Sequence, residues 1–268
     1  MNIKRSSGVE LEQFYTNREE AARLINGLRS QPWFRNIKTF IEPSAGSGAF
    51  SDLIPGTLAI DIAPAKSEIL KADFLAMELS TIPSQTLFFG NPPFGRQSSL
   101  ALKFMKKSCA LGDCVAFILP LSFEKQSVQD KVPLTHSLVY SEVLPDNIFH
   151  SPDGKPLAVK CCFQVWKKQP RSKVEKIKSA KVIFTTKGDH DFSIRRVGGT
   201  AGTIKTGRAS FEVAEVSHYF VKLNGLDKEQ VISALSSARW ETADLAAGPR
   251  SISTQDIIRK ISELGFAV

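Results

Sequence analysis

Along the first 166 residues, short apolar runs alternate with segments of helical spacing, each closed by turn-forming residues. Apolar positions over 17–28 recur at helical intervals. Asn17 stands at the start with Glu20 three residues on, which predicts a capped helix. Pro32, Trp33 and Phe34 read as a packed connection into a strand over 37–41, and two more short strands follow over 57–61 and 86–90. Residues 97–111 place Leu100, Ala101, Phe104 and Met105 on one side and Lys103, Lys106 and Lys107 on others, the pattern of an amphipathic helix. Residues 114–119 are continuously apolar and end at Pro120, as a strand buried on both faces would be. A strand over 138–143, a turn-rich segment over 149–155 and a run of β-formers over 158–166 complete this part. Strands alternating with helices imply an α/β fold whose sheet is mostly parallel, with right-handed crossovers.

The pattern changes after residue 170. Residues 169–181 are polar and lysine-rich, a linker or the entry to an exposed strand. Apolar alternation then resumes over 182–184, 192–197 and 211–213, with a glycine-rich loop over 198–202. Helices are predicted over 228–238 and 253–264, the second with a start signal at Thr254, Gln255 and Asp256. The expected organisation is a large α/β domain over 1–170 and a small α+β extension over 171–268, with no internal repeat.

The most informative stretch follows the third strand. Phe88-Phe89-Gly90 runs into Asn91-Pro92-Pro93-Phe94-Gly95. Two prolines cannot donate to a ladder, so the strand must stop at Asn91. That leaves a stiff turn at the carboxyl end of a strand, the edge where open α/β sheets place ligands. One amide side chain, a free Pro92 carbonyl and an aromatic ring suit a planar group with an exocyclic amine. The tetrapeptide resembles motif IV of the S-adenosylmethionine-dependent class I amino-methyltransferases, whose main target is N6 of adenine. The resemblance implies that Asn91 and the Pro92 carbonyl hold the amine, that Asn91 also adjoins the cofactor, that Phe94 stacks on the base, and that Pro93 adjoins the substrate.

Three further segments match that family in order. Residues 39–50 (TFIEPSAGSGAF) are an apolar strand, an acid and a small-residue loop opening a helix, where glycine permits close backbone approach to a ligand. This resembles motif I, with Glu42, Ser44, Ala45 and Gly46 at the methionine end of S-adenosyl-L-methionine. Neither the dinucleotide G-x-G-x-x-G nor the P-loop pattern is present. Asp61 ends the next strand nineteen residues after Glu42, placed to accept from ribose hydroxyls. With Ile62 it matches motif II. Asp73 and Phe74 match motif III at the cofactor's adenine, although an aspartate in a turn has the alternative role of a cap. Phe14-Tyr15-Thr16-Asn17 resembles motif X, so Tyr15 and Thr16 also fall to the cofactor. In this family the sheet ends in a hairpin whose last strand is antiparallel. Phe149 stands where some members carry motif VIII and matches it loosely, with core packing as its other role.

Composition narrows the substrate. The chain has 268 residues, 42% hydrophobic and 23% charged, and no run long enough for a membrane span, so an intracellular, probable cytoplasmic location is the expectation. Four cysteines show neither C-x-x-C spacing nor a histidine partner at zinc spacing, so no metal site is expected, and no Pro-Cys nucleophile for ring-carbon methylation exists. Net charge is +8. Residues 171–211 hold ten Lys and Arg against three Asp and Glu, or +7. A basic segment beside a base-binding site points to nucleic acid, with Arg195, Arg196, Lys205 and Arg208 gripping its backbone. The expected enzyme methylates N6 of adenine in DNA, with RNA the near alternative. A protein-glutamine methyltransferase and an inactive nucleic-acid-binding partner subunit are the others. The oligomeric state is not legible in the sequence.

Overall fold

A computed structural model describes residues 14–79, 82–151, 153–246 and 249–268, so the polar stretch 1–10 and Pro152 of the turn-rich loop lie outside the described residues. The chain divides into two compact units, residues 1–173 and 174–268.

In chain order the first unit contains β1 (Tyr15–Thr16), α1 (Arg18–Arg29), β2 (Thr39–Glu42), β3 (Leu58–Asp61), β4 (Leu70–Lys71), β5 (Thr86–Gly90), α2 (Ser99–Leu111), β6 (Cys114–Pro120), α3 (Gln126–Gln129), β7 (His136–Val143), β8 (Phe149–His150), β9 (Pro156–Leu157) and β10 (Cys161–Lys168). Seven strands form one sheet in the order β4-β3-β2-β5-β6-β10-β7. The pairings from β4 to β6 are parallel, whereas β10 runs antiparallel to both β6 and β7. This is the mostly parallel α/β sheet expected from the sequence, with the antiparallel strand inserted next to the edge.

Both faces of the central strands are covered, which is why their sequences are apolar without alternation. Ala21, Leu24, Ile25 and Leu28 of α1 join Leu87, Phe89, Ala116 and Ile118 in the main core. Phe88 turns the other way, to Phe74, whose ring stacks on Phe104 of α2 at 5.5 Å. Burying each such side chain contributes about 1.5–3 kcal/mol. β1, β8 and β9 form a separate three-stranded sheet in which Thr16 faces Phe149 and Tyr15 faces His150.

The second unit contains β11 (Val182–Thr185), β12 (Phe192–Arg195), β13 (Ile204–Thr206), α4 (Gly207–Phe211), β14 (His218–Leu223), α5 (Lys228–Ser236), α6 (Glu241–Asp244) and α7 (Thr254–Glu263). Its sheet has the order β11-β14-β12-β13, all antiparallel. Val231, Leu235, Ile257, Ile258 and Ile261 of α5 and α7 share a core with the strand residues Phe192, Ile194, Val221 and Leu223.

Four local expectations differ. The segment after the glycine loop is only a single 3-10 turn, Ser51–Leu53. Pro55 biases Ile54 out of the helical region, and Ile54 is extended. Asn17 occupies the N-cap of α1, but its side chain donates to the Asn147 carbonyl (3.1 Å) and Glu20 binds Arg23 instead, so no capping box forms. Residue 211 ends a helix instead of opening a strand, its ring packed 4.5 Å from His190. The α7 cap is Ser253, one residue before the expected signal, with a reciprocal box to Asp256.

Candidate active site at the carboxyl ends of the strands

A cleft of about 500 Å³ opens in the first unit, and the segments that follow β2, β3, β4 and β5 line it together with Phe14, Tyr15, Thr16 and one side of α2. Each strand delivers its loop at the same sheet edge because these strands are parallel.

The loop after β2 is held by the strand beside it. Asp61 accepts from the Gly46 amide (2.7 Å) and the Ala63 amide (2.8 Å), one to each oxygen, and Ala45 donates to the Ile60 carbonyl (2.9 Å). Gly46 has φ +53, and a Cβ there would come within 2.9 Å of the Tyr15 ring. Only glycine lets the loop pass under that ring. Asp61 therefore braces the glycine loop while still facing the cleft. Burial, with Asp61 nearby, raises the Tyr15 phenol above its usual range.

Glu42 is 1% exposed and accepts from the Ser51 amide at 2.8 Å. Burial pushes its carboxyl up to about 8; the Ser51 hydrogen bonds oppose this, and Asp61 and Asp52 add to it. Near neutral pH Glu42 is chiefly a neutral acid, which a cationic ligand group would ionise. Gly90 (φ +123) leaves it room, since a Cβ there would meet the Glu42 side chain at 3.0 Å.

Asn91 closes the site. Its backbone carbonyl accepts from the Ser44 hydroxyl (3.1 Å), and its side-chain amide donates to the Phe14 carbonyl (3.0 Å). The other side-chain atom, Oδ1, is buried with no partner among the described residues. The Thr16 hydroxyl is orphaned in the same way. Leaving a buried polar atom unpaired costs about 1–3 kcal/mol. Both residues line the cleft.

No family model matches the chain, and no curated protein matches it in sequence. Structural likenesses exist, 41 chains among them. A protein named for RNA methyltransferase activity, PH1948 from Pyrococcus horikoshii, is 16% identical over 59% of this chain and 87% of its own, with a TM-score of 0.44. The 23S rRNA methyltransferase ErmE is 18% identical over 61% and 72%, at 0.42. Thermoplasma acidophilum protein 1320 is 18% identical over 59% and 91%, at 0.40. The functional reading rests on the cleft itself.

The remaining expected residues distribute as follows. Ser44, Ala45, Ile62, Asp73, Phe74, Pro92 and Pro93 all line the cleft. Asp73 also caps its own turn by accepting from the Leu75 amide (2.9 Å), the alternative role weighed for it. Phe94 departs from expectation. It is 7% exposed, absent from the lining, and packed edge-on against Phe14 (6.1 Å) and Phe149 (6.5 Å). Its ring packs into the main core with Phe14 and Phe149 instead of lining the cleft. Phe149, 1% exposed, belongs to the same core and takes the core-packing role weighed for it.

The four basic residues stand in the second unit. Arg195 donates to the Val197 carbonyl (3.1 Å), and Arg196 lies 5.3 Å from the Tyr219 ring. Lys205 is exposed on β13, and Arg208 pairs with Glu212 at 3.1 Å.

Two participants escaped sequence reasoning. Phe14 supplies the carbonyl that orients Asn91, and its ring lines the cleft; the signal was its place in the segment with Tyr15 and Thr16. Lys107 donates to the carbonyls of Phe74 (2.5 Å), Leu75 (3.2 Å) and Met77 (2.5 Å) and sits 5.0 Å from the Phe74 ring. No local pattern marks a lysine on α2 as the tether of a loop before β5.

The cysteines take no part. All four are buried, and burial raises every thiol, to about 12 at Cys109 and Cys161 and about 11 at Cys114. No thiolate nucleophile is available near neutral pH. No described helix is long and apolar enough to cross a membrane.

Proposed function

We propose that this chain is a methyltransferase that uses S-adenosyl-L-methionine to methylate N6 of adenine in a nucleic-acid strand. The observation that carries the reading is the buried, unpartnered Asn91 Oδ1 in the cleft. An acceptor whose amide partner is already committed to Phe14 calls for a donor, and an exocyclic amine is one.

The residues present fit the cofactor. The orphaned Thr16 hydroxyl, the braced Gly46 loop and the acids Glu42, Asp61 and Asp73 supply hydrogen-bonding groups of the kinds its carboxylate, ammonium, ribose and adenine require. Thr16, Ser44, Ala45 and Gly46 would hold the amino-acid end, Asp61 and Ile62 the ribose, and Asp73 and Phe74 the adenine. When bound, the cofactor supplies an electrophilic methyl group on sulfonium.

The protein's contribution is placement. A ring amine is a weak nucleophile because its lone pair is delocalised. Acceptance of its N–H bonds by Asn91 Oδ1 and the Pro92 carbonyl favours a tetrahedral nitrogen and eases the charge that develops there. Phe14, not Phe94, is the aromatic neighbour that lines this part of the cleft. A base in a duplex would have to be flipped out to reach it, whereas an unpaired RNA or DNA strand would not. The preference for DNA expected from the sequence has no structural support, and RNA stands beside it.

The test is methyl transfer from labelled S-adenosylmethionine to duplex DNA, single-stranded DNA and RNA, with the modified nucleoside identified by mass. N6-methyladenine in one polymer is the expected result. No transfer to any of them while the cofactor binds would overturn the reading.

A further inference from the structure

We propose that Arg96 and Lys103 form a phosphate clamp on the cleft, gripping the strand on either side of the target nucleotide. The inference rests on the nucleic-acid reading above and names the residues that would make the substrate a phosphodiester strand instead of a free base or a peptide amide.

Residues 90–112 contain four cations (Arg96, Lys103, Lys106 and Lys107) and no aspartate or glutamate. Lys107 is spent on three backbone carbonyls, and Lys106 does not line the cleft. Arg96 and Lys103 do line it, with Ser99 between them, and both are exposed. Ser99 and Lys103, four residues apart, share one face of α2, and Arg96 stands in the segment that leads into it. Neither cation has an acidic partner among the described residues. Long cationic side chains left unpaired along the rim of a cleft attract anions, and the acids of the same lining, Glu42, Asp61 and Asp73, accept from backbone amides.

The backbone gives independent support. Between Arg96 and α2, Gln97 (φ 53, ψ 36) and Ser98 both adopt left-handed conformations although neither is glycine. Two such residues in succession cost about 1–3 kcal/mol each, and such strain clusters at ligand clamps. It is retained here while the Ser98 hydroxyl, which could have capped α2, bonds to the Ser122 hydroxyl at 2.8 Å instead. Arg96 lines the cleft together with Pro93 and Gly95.

A carboxylate of the cofactor is the competing anion, and the experiment separates the two. Affinity of the full chain for 12-nucleotide adenine-containing single strands of RNA and of DNA is measured by fluorescence anisotropy across a potassium chloride series. Cofactor affinity is measured by calorimetry on the same proteins. Arg96→Ala/Lys103→Ala should lose about tenfold or more in strand affinity and lower the magnitude of the salt slope by about 1.4, the value for two phosphate contacts to a single strand. Its cofactor affinity should be unchanged, and Arg96→Lys/Lys103→Arg should restore most of the binding. A loss confined to RNA or to DNA supports the clamp and identifies its polymer. An unchanged slope for both polymers overturns it, as does an equal loss from Lys106→Ala, or a tenfold loss of cofactor affinity in the double variant. If the unsubstituted protein binds neither strand, the nucleic-acid reading itself falls. If it binds and the slope does not move, only the clamp does.

Discussion

The Asn91 side-chain amide donates to the Phe14 carbonyl at 3.0 Å, joining the turn after β5 to the segment that precedes α1, 77 residues away. That bond fixes which end of the amide faces the cleft and leaves Oδ1 as a committed acceptor. Asn91→Ala should therefore lower transfer by about 10²–10³-fold, the usual range for one preorganised hydrogen-bonding group at a reacting centre, with cofactor affinity held within about twofold. Single-turnover kinetics with parallel calorimetry would show this, and a large loss of cofactor affinity would contradict the assignment.

Asp61 is proposed for the cofactor side. It holds the Gly46 amide of the glycine loop and the Ala63 amide of the turn after β3, so Asp61→Ala releases both as well as removing an acceptor from the cleft. Cofactor affinity should fall by more than tenfold. Transfer at saturating cofactor should suffer less than in the Asn91 variant. Equilibrium dialysis over a cofactor series would reveal the opposite pattern if the roles were exchanged.

Lys107 is a positioning residue. It ties the turn carrying Asp73 and Phe74 through three carbonyls. Lys107→Met keeps the length and loses the donors, so KM for the cofactor should rise by about tenfold while kcat stays within threefold. A role in stability alone would lower the unfolding midpoint without that KM-against-kcat split.

Glu42 sets a pH dependence with a defined sign. Its folded carboxyl is raised to about 8, against about 4.3 in an unfolded chain. The contribution to stability is fully present below about 4.3 and is lost as pH rises through 8, because the unfolded state gives up the proton more readily. Glu42→Gln should flatten the fall in unfolding free energy between pH 5 and 8 by a few kcal/mol. Denaturant titrations at the two pH values measure it, and identical slopes in both proteins would refute it. Cofactor binding at pH 7 should also release a proton as its cationic groups ionise Glu42, seen as a buffer-dependent binding enthalpy.

Much of this protein was determined by the sequence alone. The apolar runs at β2, β3, β5 and β6 could lie only in a sheet covered on both faces, and the antiparallel β10 beside the edge agrees with the expected hairpin. Asn91-Pro92-Pro93 had to end β5 because proline cannot donate to a ladder. Because the strands are parallel, their carboxyl ends meet at one edge, and this gathers Ser44, Asp61, Asp73 and Asn91 into one cleft.

What only the tertiary structure decided concerns direction and partnership. Phe94 and Phe149 are buried together against Phe14 because the small β1-β8-β9 sheet brings those three rings under the turn. No spacing in the chain shows which face of a loop an aromatic ring will take. Lys107 tethers residues some thirty positions earlier, and burial makes Glu42 hold its proton against the opposing Ser51 hydrogen bonds. Local propensity is a property of neighbours in the chain, whereas burial, orphaned acceptors and shifted protonation arise from neighbours in space, and the chemistry of this cleft depends on the second kind.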